Sequence, residues 1–104
     1  LVHPCLEWSG SLDQLLGELG SRGVLQVLVE GGATVLRAFR DSDLVDRYVV
    51  YVAPSIFGGS DKAPMIGGPS TPTVAGLERG RFAAVRAVGG DLRIDLIPPR
   101  KETA

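Results

Sequence analysis

The chain has 104 residues, of which 44% are hydrophobic and 22% charged, and its formal net charge is −1. This composition belongs to an ordinary globular domain or a part of one and excludes a disordered chain. Eleven basic residues against twelve acidic ones give no broad positive field for nucleic acid or an anionic membrane, so any anion site has to be local.

Residues 1–10 read as a linker. They lack the basic region and apolar core of a secretory signal, and no apolar run in the chain approaches the roughly 20 residues of a membrane span, so a cytoplasmic protein is expected. Cys5, the sole cysteine, excludes an internal disulfide, fits a reducing compartment and reads as a small apolar side chain. His3 and Trp8 read as packing or linker residues. Ser11 is placed to cap a helix whose leucines at 12, 15, 16 and 19 recur at three and four, and Gly20 and Gly23 are available to end it. That stripe is expected to pack on a sheet.

Val24 to Val29 is a short apolar run of the kind expected for a strand buried on both faces. It ends in Glu30-Gly31-Gly32, and Ala33 to Arg40 follows with the helical spacing Val35, Leu36, Phe39, broken by Asp41-Ser42-Asp43. The glycine pair is therefore expected at a strand-to-helix turn. There the missing Cβ lets a ligand approach the backbone, and the first N–H groups of the helix with its dipole favour an anion. A second strand is predicted from Arg47 to Ala53, where β-branched and aromatic residues suit a pleated surface. Strand, helix and strand joined by short loops predict a parallel, right-handed crossover with its ligand crevice at the carboxyl ends of the strands.

Pro54 to Gly80 carries no strong periodicity, and long unpatterned loops of this kind are often functional. Phe82 to Val88 and Asp91 to Ile97 then predict a hairpin turned by Gly89-Gly90, with Leu92, Ile94 and Leu96 alternating with Arg93 and Asp95. Pro98-Pro99 stops the last strand, and Arg100 to Ala104 is a polar tail. The fold class is α/β, a mixed sheet with a parallel unit followed by an antiparallel hairpin. A central strand with so few neighbours predicts an incomplete domain, completed by a preceding segment or by another copy of the chain. The opening at Leu1, with no strand ahead of the first helix, adds to that expectation.

The ordered set Leu28-Val29-Glu30-Gly31-Gly32-Ala33-Thr34, Leu44-Val45-Asp46, Tyr51-Val52-Ala53-Pro54, Ile56-Phe57-Gly58-Gly59 and Val88-Gly89-Gly90-Asp91-Leu92 resembles the reductase domain of the bifunctional riboflavin biosynthesis protein RibD. The resemblance spans about Ser11 to Ile97 and makes residues 1–104 the C-terminal portion of such a domain. It implies a dihydrofolate-reductase-like fold, NADPH as cofactor, and reduction of the ribose of 5-amino-6-(5-phosphoribosylamino)uracil by hydride transfer to C1. Carried onto matching positions, Glu30 would contact the pyrimidine ribotide, and Gly31, Gly32, Ala33, Thr34, Val35 and Leu36 would line NADPH. The resemblance names no acid catalyst in this stretch. The zinc deaminase domain that commonly precedes the reductase is not represented, since His-x-Glu and Cys-x-x-Cys are both missing.

Each of these residues also has a plainer reading. Glu30 could cap the helix through the N–H of Ala33 or Thr34, and Thr34 could simply face solvent. Asp46 suits a turn or a surface ion pair, Gly58-Gly59 an ordinary turn, and Arg79 and Arg81 a solvated boundary. Two readings compete with a pyrimidine reductase: a catalytically inert association module that pairs through an exposed sheet edge as a homodimer, and another dihydrofolate-reductase-like enzyme. The acidic residue directly before the glycine pair fits RibD better than dihydrofolate reductase itself.

Overall fold

The computed structural model describes residues 6–59, 61 and 64–99. His3, Cys5 and the tail from Arg100 lie outside the described residues. Two compact units are present, residues 1–30 and residues 31–104.

The first unit holds one helix, α1 (Leu12–Ser21), started as expected by Ser11, whose hydroxyl accepts the N–H of Gln14 at 3.1 Å. The indole N–H of Trp8 donates to the Ser11 carbonyl at 2.9 Å, which makes this residue part of the helix entry. At the other end Gly23 takes φ +86°, its N–H bonds to the Gly20 carbonyl, and Val24 N–H reaches back to Leu19. This pair of bonds is a Schellman ending, and it needs a residue that enters the left-handed region at no steric cost. Leu12, Leu15, Leu16 and Leu19 are half-buried, so the predicted stripe is real. The unit has no strand among its described residues for that stripe to cover.

The Val24–Val29 strand is not formed, and with it the expected parallel strand-helix-strand unit is absent. Leu25 is fully exposed and Leu28 is 76% exposed. A run suited to a doubly buried strand becomes one only when a ladder exists on each edge, because its N–H and C=O groups must be paired as its side chains leave water. Among the described residues no strand pairs with this run.

The second unit begins with α2 (Ala33–Asp41) and continues through β1 (Tyr48–Val52), β2 (Arg81–Val88) and β3 (Asp91–Ile97). Helix α2 also ends in a Schellman pattern, here through Asp43 at φ +56°, with Asp43 N–H on the Arg40 carbonyl and Leu44 N–H on Phe39. The three strands form one antiparallel sheet in the order β1-β3-β2. Gly89 at φ +59° supplies the first central position of the hairpin turn between paired Val88 and Asp91, as a type II′ turn requires. No helix or strand interrupts the described part of the segment between Val52 and Arg81, in agreement with its lack of periodicity.

Cross-strand register sorts the two faces. Tyr48, Val50 and Val52 stand opposite Leu96, Ile94 and Leu92, which in turn face Phe82, Val85 and Ala87, so one face is apolar throughout. The other carries Val49, Tyr51, Arg93, Asp95, Ala84 and Arg86. Phe39 is the one buried apolar side chain among the described residues, while Ile56 and Phe57 are at least 90% exposed and every residue of β2 is exposed. Burial of a large apolar side chain stabilises by about 1.5–3 kcal/mol, so this unit leaves most of its available hydrophobic stabilisation unused. Among the described residues no helix is long and apolar enough to cross a membrane.

Candidate functional site

The glycine pair leads into α2, and the two glycines differ. A Cβ on Gly31 would lie 3.0 Å from the Val35 Cβ, closer than side chains normally approach, so this position is small for packing. Gly32 is the N-cap at φ −70° and ψ −176°, a conformation open to any residue, and a Cβ there would meet nothing within 4 Å. Among the described residues nothing fills the space beside Gly32.

Gly32 offers no side chain to cap α2. Hydrogen bonding inside the helix starts with Leu36 N–H on the Gly32 carbonyl at 3.0 Å. The N–H groups of Ala33, Thr34 and Val35 thus find no acceptor among the described residues. Three free donors at the positive end of a helix are the chemistry that holds a phosphate oxygen. Thr34 and Val35 are exposed, whereas Ala33 and Leu36 are half-buried. Glu30 is exposed and closes the preceding unit, so the sequence places it directly before the turn.

A loop that sequence patterning left unassigned meets α2. Gly67 N–H donates to the Ala33 carbonyl at 3.0 Å, and Nη1 of Arg37 donates to the carbonyls of Gly67 (3.2 Å) and Pro69 (2.9 Å). The only sequence signal for this residue was its spacing from Asp41, to which its Nε donates at 2.8 Å. That bond, aided by the charges of Arg37 and Arg40, holds the Asp41 carboxyl below its ordinary value. Farther along, Arg40 pairs with Glu78 at 3.1 Å. A groove of about 590 Å³ lined by Arg37, Arg40, Asp41, Gly76, Glu78 and Pro99 lies here, and a smaller apolar one adjoins it beneath Tyr48 and Leu96. Burial, with Glu78 nearby, pushes the Tyr48 hydroxyl up. Neither groove includes residues 30–36.

On the polar sheet face Asp95 is 3% exposed. Arg93 donates to it from Nε at 2.8 Å, and Arg47 from Nη1 at 3.2 Å. The Arg93 hydrogen bond outweighs burial and lowers the Asp95 carboxyl, while Arg93 is itself raised. A carboxylate held toward its ionised form by two arginines is a poor proton donor. It also offsets the direct opposition of Arg86 and Arg93 across β2 and β3. Asp46, Arg79 and Arg81 are exposed, and Gly58 and Gly59 both take positive φ, as a turn would. Among the described residues no group of three or more His, Cys, Asp or Glu is placed to hold a metal ion.

Residues 8–94 match the family model described as the RibD C-terminal domain. The riboflavin biosynthesis protein RibD of Escherichia coli is 32% identical over 93 residues, covering 88% of this chain and 25% of that protein. A 2,5-diamino-6-ribosylamino-4(3H)-pyrimidinone 5′-phosphate reductase of Archaeoglobus fulgidus is 36% identical over 59 residues, covering 57% of this chain and 27% of that one. Among solved structures, Acinetobacter baumannii RibD superposes with a TM-score of 0.79 at 33% identity, over 91% of this chain and 26% of that one. The chain thus spans about a quarter of the length of these relatives.

Proposed function

Since the chain belongs to the RibD C-terminal domain family, we propose that it is the cofactor-turn portion of an NADPH-dependent reductase of riboflavin biosynthesis acting on 5-amino-6-(5-phosphoribosylamino)uracil. The observation that carries this reading is the sequence Glu30-Gly31-Gly32 running into a helix whose first three N–H groups find no acceptor, and whose N-cap meets no neighbour, among the described residues. Those features suit a dinucleotide phosphate. When bound, NADPH supplies the hydride that reaches C1 of the sugar. The chain's own part is to hold and orient: N–H groups of Ala33, Thr34 and Val35 receive phosphate oxygens, Gly31 and Leu36 shape the turn, and Gly32 leaves room for close approach. Glu30 accepts hydrogen bonds from ribose hydroxyls and fixes the sugar for transfer. Such an enzyme works in the cytoplasm, without nucleic acid or membrane as partner.

The reading is tested by NADPH titration of this chain and of the same chain preceded by the rest of the reductase domain, followed by assay with the pyrimidine ribotide. We expect the longer protein to bind and turn over and the 104-residue chain to be inactive; binding by neither overturns the reading. Glu30→Gln is expected to impair turnover more than NADPH binding. Equal loss of both would move Glu30 from the sugar to the cofactor turn.

A second reading draws on β2, an exposed edge strand of eight residues whose outer side pairs with no strand among the described residues. It makes the chain an association unit that forms a homodimer, a role compatible with the first. Sedimentation as a monodisperse 11.0 kDa monomer at micromolar concentration would refute it.

A further inference from the structure

We propose that Arg37 is a positioning residue for the cofactor turn, clasping the Gly67–Pro69 segment against the first turn of α2 so that the segment forms a fixed wall beside the free N–H groups. The inference rests on the reading of that turn as the NADPH phosphate site.

Gly67 is held at both of its backbone groups by one turn of helix. Its N–H donates to the Ala33 carbonyl, and its carbonyl accepts from Nη1 of Arg37, four residues farther on. The same nitrogen bonds to the Pro69 carbonyl, so both of its hydrogens are used, while Nε is anchored on Asp41. The guanidinium is thereby fixed in plane at three points, which a lysine ammonium cannot reproduce. The fit is close. A Cβ on Gly67 would sit 3.4 Å from the Ala33 carbonyl, and one on Gly68 would sit 3.2 Å from Nη1 of Arg37. Gly68 also takes φ +84°, so the crossing requires glycine for both space and conformation.

The segment lies within a long stretch whose described residues form no helix or strand. Without the clasp it would have to be ordered when nucleotide binds, and that cost would appear in cofactor affinity. The side chain of Arg37 is 26% exposed and its charge is already matched by Asp41, so its effect on the nucleotide runs through the loop.

The test is made in the intact enzyme with Arg37→Met, Arg37→Lys and Gly68→Ala. Readouts are NADPH Kd by fluorescence titration, KM for each substrate, kcat, and amide exchange at Gly67 without nucleotide. Arg37→Met should speed Gly67 exchange and raise the NADPH Kd and KM about three- to tenfold, with kcat and the ribotide KM little changed. Arg37→Lys should fall between wild type and Arg37→Met. Gly68→Ala should shift the same constants in the same direction and serves if Arg37→Met does not fold. Faster Gly67 exchange with an unchanged NADPH Kd would overturn the inference alone. A wild-type enzyme that does not bind NADPH would overturn the cofactor reading and the inference with it.

Discussion

The two helices end alike and begin differently. Both close with a Schellman pattern, through Gly23 in α1 and through Asp43 in α2. At their starts, α1 is capped by Ser11 and further tied by Trp8, whereas α2 begins at a glycine that offers no side chain and leaves three N–H groups without an acceptor among the described residues. A glycine at the cap position in place of a capping side chain forgoes about a few tenths of a kcal/mol. That stability is forgone at the turn proposed to hold the cofactor, and it is kept in the helix that carries no candidate site residue. An open start is therefore informative when the same chain shows that it can build a closed one.

The largest expected effect comes from making α2 resemble α1. Gly32→Asp gives the helix a capping carboxylate in a backbone conformation that accepts any residue. It should stabilise α2 by about a few tenths of a kcal/mol relative to glycine while weakening NADPH binding by more than about tenfold, because the carboxylate occupies the donors and repels phosphate. Titration of the intact enzyme beside its melting curve reads both signs. Unchanged affinity would remove the phosphate from this turn.

Next in size is the shared ending. Gly23→Ala forces a Cβ into φ +86° and should cost about 1–2 kcal/mol, read as faster exchange of the Val24 amide, with NADPH affinity unaltered. The opposite change, Asp43→Gly, relieves a left-handed aspartate and should slow exchange of the Leu44 amide by an amount worth about 0.5 kcal/mol. If both substitutions destabilise, side-chain contacts of Asp43 matter more than its backbone.

Ser11→Ala should cost about 1 kcal/mol through fraying of the first turn of α1, visible at the Gln14 amide and without effect on nucleotide. A loss of NADPH affinity here would break the division of labour between the two helix starts.

The smallest effect concerns the i,i+4 pairs. Glu18–Arg22 in α1 and Arg37–Asp41 in α2 are both surface pairs. Asp41 has its folded value lowered by Arg37, so the pair's contribution is present above the ordinary aspartate value of about 3.9 and is lost as pH falls through the lowered one. Asp41→Asn should flatten that part of the acid melting profile slightly. The Arg37 bonds to Gly67 and Pro69 end on carbonyls and should survive acid. Release of the Gly67 amide in parallel with Asp41 protonation would show that Asp41 holds the arginine in place.

Much of the molecule was legible in its sequence because the signals are local. The Ser11 cap, the leucine stripe, the glycine ending of α1, the break after Arg40 and the Gly89-Gly90 hairpin each depend on residues a few positions apart. The glycine pair was legible as a turn before a helix. Its asymmetry was not: that Gly31 is small for Val35 and Gly32 small for open space depends on which way each absent Cβ would point. Nor was the contact of Gly67 with Ala33, which are far apart in the chain and share no pattern. The Val24–Val29 run shows the converse. Its composition announces a buried strand, but strand formation is not a property of one segment, since every backbone bond of a ladder belongs to a second one.

The sequence by itself determined where the helices start and stop, which residues alternate along the final hairpin, and the ordered motifs that place the chain in its family, because propensity, capping and turn chemistry act over a single turn. Tertiary structure alone decided that β3 lies between β1 and β2, that Asp95 is enclosed by arginines from two segments, and that a distant loop is fastened to α2 by Arg37. Those outcomes depend on pairing and hydrogen bonding between residues that no short-range pattern connects.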